Sequence, residues 1–266
     1  MSPMIYVAGG ILFIFIMNCL GAGTVFLSKK PFTPKASQLF LGFAAGVMIA
    51  ASIWALLIPA FEEAHYGPLP EWIPAIFGFL LGVLFLMLLD HMIPHVHHVK
   101  DVQEGKPTKA KRTTLLLWAI ILHYIPEGIA IGLAFSLALA LGGEGAVFAS
   151  AIALSIGIGV HNFPESAVVS MLFKQEGLSN FKSFLLGSLA GTVDLAVAVL
   201  TLFLAAWLMP AMPWLLAFAA GAMMYVVIKE MIPEAQLGEH SRIGTMSVMI
   251  GFLFMLFLES VLGHAH

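Results

Sequence analysis

Residues 115–135 read LLLWAIILHYIPEGIAIGLAF and residues 152–172 read IALSIGIGVHNFPESAVVSML, two apolar stretches that each carry His-x-x-Pro-Glu near the middle. Each is long enough to cross a bilayer core, which takes roughly 20 apolar residues of helix. A spacing of four places His123 with Glu127, and His161 with Glu165, on one helix face about a turn apart. Pro126 and Pro164 have no N–H, so the carbonyls of Leu122 and Val160 are expected to leave the helical ladder and open the backbone there. An ionisable residue at the centre of a spanning helix costs on the order of 3 kcal/mol on the insertion scale. Two such motifs at matching depth in adjacent, oppositely directed spans therefore predict a shared site. Two imidazoles and two carboxylates suit zinc and its first-row neighbours. Irregular backbone at membrane depth is tolerated where it is buried in protein or lines a hydrated cavity, a common setting for transporter sites.

Outward from these motifs the chain is apolar throughout: of 266 residues, 60% are hydrophobic and 10% charged, and the mean hydropathy is +0.98. Soluble domains do not have this balance. Apolar runs predict eight spans near 4–28, 37–60, 71–94, 114–140, 146–172, 183–208, 212–233 and 243–263, which leaves no room for a soluble domain. The reading is an all-α integral membrane protein with one transmembrane domain, 1–266. All 12 Lys and Arg residues fall in or beside the connections after spans one, three, five and seven, where Lys229 and Arg242 border the last of these. Cytoplasmic connections carry the basic excess, so both termini are expected outside. Met1 to Tyr6 lacks a basic n-region, so the first run reads as a retained helix. Cys19 is the single cysteine, which excludes a disulfide framework and a Cys-x-x-Cys motif.

The longest connection, 95–113, reads as a cytosolic His-containing loop. His91, His95, His97 and His98 are spaced to catch a metal ion leaving on that side. The bland alternative is a polar loop whose histidines happen to cluster. Gly42 with Gly46, and Gly187 with Gly191, are small-xxx-small pairs that let helices approach closely. Glu62 and Glu63 add acidity to the outer face, where His264 and His266 also fall.

The paired motifs resemble those of the ZIP (Zrt/Irt-like) metal transporter family, and the resemblance extends along the chain. Residues 42–60, GFAAGVMIAASIWALLIPA, look like its second helix, and AGTVDLA, 190–196, stands at its acidic sixth-helix motif. LLDHMIP, 88–94, and VIKEMIP, 227–233, are similar to the inner ends of its third and seventh helices. The resemblance implies eight helices arranged 3+2+3, with the outer triplets as inverted repeats and helices one, four, five and six moving past the others. It implies one metal held by His123, Glu127 and Glu165 with Met48 nearby, and a second held by Asn162, Asp194 and the bridging Glu127 and Glu165. His161 would line the same region, and Asp90, His91, His95, His97, His98 and Glu230 would be secondary positions. Tyr124 stands where the family usually has Asn, Asp194 is a methylene shorter than the more usual Glu, and Lys229 sits beside Glu230 where a relative places His.

The implied activity is import of Zn²⁺, with Fe²⁺, Mn²⁺, Co²⁺ or Cd²⁺ as further cargo, through an inner cell membrane. No prosthetic group and no nucleic-acid partner are expected. The expected partners are divalent ions, the lipid bilayer and a second copy of the chain in a homodimer. Two rival classes are an intramembrane metalloenzyme and a metal sensor without flux. His-Glu-x-x-His does not occur in the chain, so two His ligands with a general-base Glu are not available.

Overall fold

The computed structural model describes residues 2–27, 32–93, 95–96, 103–104, 112–235 and 242–263. Eight helices in it are long and apolar enough to cross a membrane: α1 Pro3–Leu27, α2 Lys35–His65, α3 Trp72–Met92, α4 Thr113–Ala140, α5 Gly145–Gln175, α6 Asn180–Leu204, α7 Met209–Ala235 and α8 Arg242–Leu262. The expected spans are recovered, with α2 and α7 longer than their apolar runs. Between α3 and α4, β1 (His95–Val96) pairs antiparallel with β2 (Gln103–Glu104). His97, His98, His264 and His266 lie outside the described residues.

The openings expected at Pro126 and Pro164 are not where the helices give way. α4 and α5 run through both prolines without interruption, because one lost backbone bond is tolerated where packing holds both flanks. Besides a π turn that ends α8 at Glu259–Gly263, irregular turns appear within α2 and α7, as wide π turns at Ser52–Leu57 and Val227–Met231, and these two share a cause. Each ends just before an Ile-Pro pair, Ile58-Pro59 and Ile232-Pro233. The proline leaves a carbonyl one turn back without its usual donor, and a wider turn absorbs the mismatch. α6 breaks at Gly191, between Asn180–Ala190 and Thr192–Leu208.

The principal partners are α1 with α5, α4 with α6, α2 with α8, and α3 with α7. Exchanging one with six, two with seven, three with eight and four with five leaves this list unchanged. Copies separated by five spans run in opposite directions, so the pattern is that of inverted triplets about the α4–α5 pair. The seams repeat the symmetry residue by residue. Gly46 of α2 lies against the Val248 backbone of α8 while Gly251 answers against Phe43; Gly82 of α3 lies against Phe218 of α7 while Gly221 answers against Phe79. A Cβ at any of the four would overlap facing backbone. Inside a bilayer, where burial gains nothing over lipid, such close van der Waals contact is a main source of association. Gly42 joins the same seam against Gly244, whereas Gly187 and Gly191 meet Ala22 and Asn18 of α1. Enclosure is greatest in α4 and α2, 69% and 67% of whose most apolar stretches are buried, and 56% in both α5 and α7, against 22% for α8.

Candidate metal centre

α4 and α5 bring their two motifs together in the middle of the bundle. His123 Nε2 lies 3.4 Å from Glu127 Oε1 and 3.2 Å from Glu165 Oε1, and His161 Nε2 lies 3.3 Å from the same Glu127 oxygen. One donor atom from each of His123, Glu127 and Glu165 falls within 4.8 Å of the others. Tetrahedral ligands on bonds of about 2.1 Å stand about 3.4 Å apart, so this spacing is that of a set sharing one small ion. Glu127, His161 and Asn162 have no exposure to solvent.

The electrostatics ask for a cation. The His161 Nδ1 lies 3.3 Å from the Gly157 carbonyl, which can only accept, so Nδ1 carries a proton. In the neutral ring, Nε2 then turns a lone pair toward a carboxylate oxygen, an arrangement that needs a proton or a metal ion between them. Among the described residues, Glu127 Oε2, Glu165 Oε2, Asp194 Oδ1 and Asn162 Oδ1 are buried with no hydrogen-bond partner. Buried carboxylates this close repel one another and are costly without compensation.

Asp194 enters from α6, one turn past the Gly191 break, and accepts a hydrogen bond of 2.8 Å from Asn162 Nδ2. Tyr124 is fully buried, and its hydroxyl accepts from Asn18 Nδ2 of α1 at 3.2 Å and meets Ser166 Oγ at 3.3 Å. Its ring packs with Ile120, Val169 and Phe173. Met48 is fully buried in α2 and belongs to the central apolar cluster.

Toward the basic side, Glu230 Oε2 of the α7 π turn lies 3.8 Å from His123 Nδ1. A cavity of about 20 Å³, room for one water, is lined by His123, Glu165, Glu230 and Glu234 together with apolar residues such as Leu41 and Val168. Glu234 was not anticipated, although its signal is present: Glu230-Met-Ile-Pro-Glu234 repeats the spacing of the paired motifs with Glu in place of His. Lys229, assigned by sequence to the border of the last connection, sits inside α7 because the helix continues to Ala235. Its ammonium pairs with Asp90 of α3, which also accepts from the Tyr225 hydroxyl at 2.9 Å. Asp90 is thus engaged by a side-chain cation, and His91 is exposed beside it. On the opposite side a cavity of about 380 Å³ is lined by residues including Trp54, Glu62, Ser150 and Glu259, and Ser150 donates to Glu259 at 2.9 Å.

Eight spanning helices around an enclosed, ion-sized His and carboxylate cluster define an integral membrane protein with an internal polar centre. The model of the ZIP Zinc transporter family matches residues 109–259. The chain is 31% identical to Zinc transporter ZIP11 of Xenopus tropicalis over 98% of both chains. It is 33% identical to Zinc transporter GufA of Myxococcus xanthus, over 92% of this chain and 94% of that one. Against Zinc transporter ZIPB of Bordetella bronchiseptica the identity is 32%, over 94% of this chain and 79% of the relative. The chain belongs to the ZIP zinc transporter family.

Proposed function

We propose that the protein carries divalent transition-metal ions, zinc foremost, into the cytosol through the cluster of α4, α5 and α6. The observation that carries this reading is the enclosed cluster itself, in which donor atoms stand at metal-ligand spacing and, among the described residues, Glu127 Oε2 and Glu165 Oε2 are buried with no hydrogen-bond partner. His123, Glu127 and Glu165 hold one ion, with the Met48 thioether as a soft neighbour. Asn162 and Asp194 hold a second, sharing Glu127 and Glu165, and His161 lines the same region beside Glu127. Selectivity among Zn²⁺, Fe²⁺, Mn²⁺, Co²⁺ and Cd²⁺ then follows from geometry and availability more than from ligand identity.

The direction rests on charge. All 12 basic residues fall in or beside the connections after spans one, three, five and seven of the sequence, which supports a cytosolic position for the 95–113 loop and the Glu230 side, with both termini outside an inner cell membrane. An ion enters by the Glu62 and Glu259 cavity, is held at the cluster, and leaves past His123 toward Glu230. Asp90 and His91 are the proposed secondary positions on the exit side, Asp90 being available only if Lys229 lets go, and the sequence adds His95, His97 and His98 in the connection that follows. The α1–α5 and α4–α6 pairs move as one unit past the α2–α8 and α3–α7 pairs. A homodimer is the proposed assembly, and no catalytic step is assigned.

The test is uptake of radioactive zinc by cells expressing the chain, beside His123→Ala and Glu165→Ala at matched membrane abundance. Saturable uptake that both variants abolish supports the proposal. Uptake equal to that of cells without the protein sinks it.

A further inference from the structure

Asn18 is a buried amide in the middle of an otherwise apolar helix, and the mechanism above makes no use of it. It is fully enclosed, and its Nδ2 donates to the Tyr124 hydroxyl. An amide that served only as interhelical glue would engage both ends, yet among the described residues Asn18 Oδ1 has no partner. Such a bond in a membrane averages about 0.6 kcal/mol, while a buried acceptor left unmade costs about 1–3 kcal/mol. As glue alone the residue would lose more than it gains.

Its position says what the oxygen is near. Gly21 of α1 lies against the Phe163 backbone, and Gly159 of α5 lies against Phe13 and Ile14. These two contacts set the α1 register against α5 and put Asn18 at the level of residues 160–163, the level of Asn162. The Asn18 amide also fills the space that a Cβ on Gly191 would need, and Gly191 is the α6 break one turn before Asp194. Asn162 Oδ1 and Asp194 Oδ1 are likewise buried and without a partner among the described residues. Three buried oxygens from three helices, each lacking a donor among the described residues, therefore fall within about one helical turn of one another.

We infer that Asn18 supplies a neutral oxygen to the second ion position, beside Asn162 and Asp194, and that Tyr124 aims it by holding the amide nitrogen. This rests on the metal-carrying reading above. The consequence is chemical inequality between the two positions. The His123 cluster includes imidazole, whereas the second position is an all-oxygen set of two amides and carboxylates, which suits harder divalent cations such as Mn²⁺. Gly191 belongs to the same device, since any side chain there displaces the amide.

The experiment is equilibrium dialysis of the purified full chain in detergent against Zn²⁺ alone and Mn²⁺ alone, with bound metal counted by elemental analysis. Asn18→Ala is expected to weaken the second ion about tenfold or more and to leave the His123-dependent ion unchanged, which also shows that the variant is folded. Asn18→Asp keeps an oxygen and adds charge, and Tyr124 can donate to it, so the second ion is retained or bound more tightly. Tyr124→Phe and Gly191→Ala shift the second ion in the same direction as Asn18→Ala while keeping all of its proposed oxygen ligands. Unchanged affinities in Asn18→Ala overturn the inference, as does Asn18→Asp losing the second ion as fully as Asn18→Ala. A wild-type chain that binds a single ion, removed by His123→Ala, overturns it while leaving the transport reading intact. A wild-type chain that binds no ion refutes that reading itself.

Discussion

Replacing Lys229 by Met would strand the Asp90 carboxylate between α3 and α7. The Asp90 side chain is 10% exposed and the Lys229 side chain 25%. Removing one partner of a fully buried ion pair costs about 3–5 kcal/mol, mostly because the other charge is left uncompensated. Here the lysine is partly solvated and Tyr225 still donates to Asp90, which lowers the cost to roughly 2–3 kcal/mol. At about 2–4 °C per kcal/mol for a chain approaching this size, the midpoint falls by roughly 4–12 °C. The assay is thermal unfolding in detergent, followed by loss of the monodisperse elution peak after heating. Asp90→Asn added to Lys229→Met removes the stranded charge and should recover most of the loss. Asp90→Asn alone should cost less, since a lysine near a helix end can extend to the interface. If Lys229→Met has no effect, or if the double variant melts no higher than the single, the pair does not join these helices as described.

The inverted plan predicts equal penalties at related seams. Gly46→Leu and Gly82→Leu should each cost about 1–3 kcal/mol by overpacking, and the double variant should show additive loss because the two seams share no residues; thermal unfolding of the three variants checks this. Zinc at a hundredfold its dissociation constant should raise stability by about 2.7 kcal/mol, a gain that a chelator reverses and that His123→Ala lacks. Glu234→Gln should slow zinc flux while leaving equilibrium binding of the His123-dependent ion unchanged, because Glu234 lines the small cavity beside His123 and Glu165 and not the cluster itself. Loss of binding in that variant would place Glu234 in the centre instead.

Much of this architecture is legible in the chain because a bilayer imposes severe rules. Span number follows from apolar length, and the two His-x-x-Pro-Glu motifs are visible because ionisable residues at that depth are rare. Features that depend on which helix stands beside which are not legible in this way. In the sequence Lys229 has both Glu230 and Asp90 as candidate partners, and it is the packing of α3 on α7 that brings Asp90, 139 positions away, to its ammonium. Tyr124 sits within the first motif, but its hydroxyl turns to Asn18 and Ser166, since α1 and α5 offer partners there. Pro126 and Pro164 read as helix openers yet lie within unbroken helices, while wide turns form ahead of Pro59 and Pro233. Glu234 escaped because its motif begins with Glu, so a search for imidazole passes over it. The glycine seams were half visible: Gly42 and Gly46 announce themselves by spacing, whereas the answering Gly251 shows its role only against Phe43.

The central claim is that a metal ion crosses the membrane by way of the His123, Glu127 and Glu165 cluster. Its most direct test is the time course of zinc accumulation inside sealed proteoliposomes containing only the purified chain, with His123→Ala and Glu165→Ala reconstituted at equal density. The account predicts saturable accumulation by the wild-type chain and none above protein-free vesicles for either variant. Equal flux through the variants, or zinc bound by the wild-type chain without any reaching the interior, would contradict it.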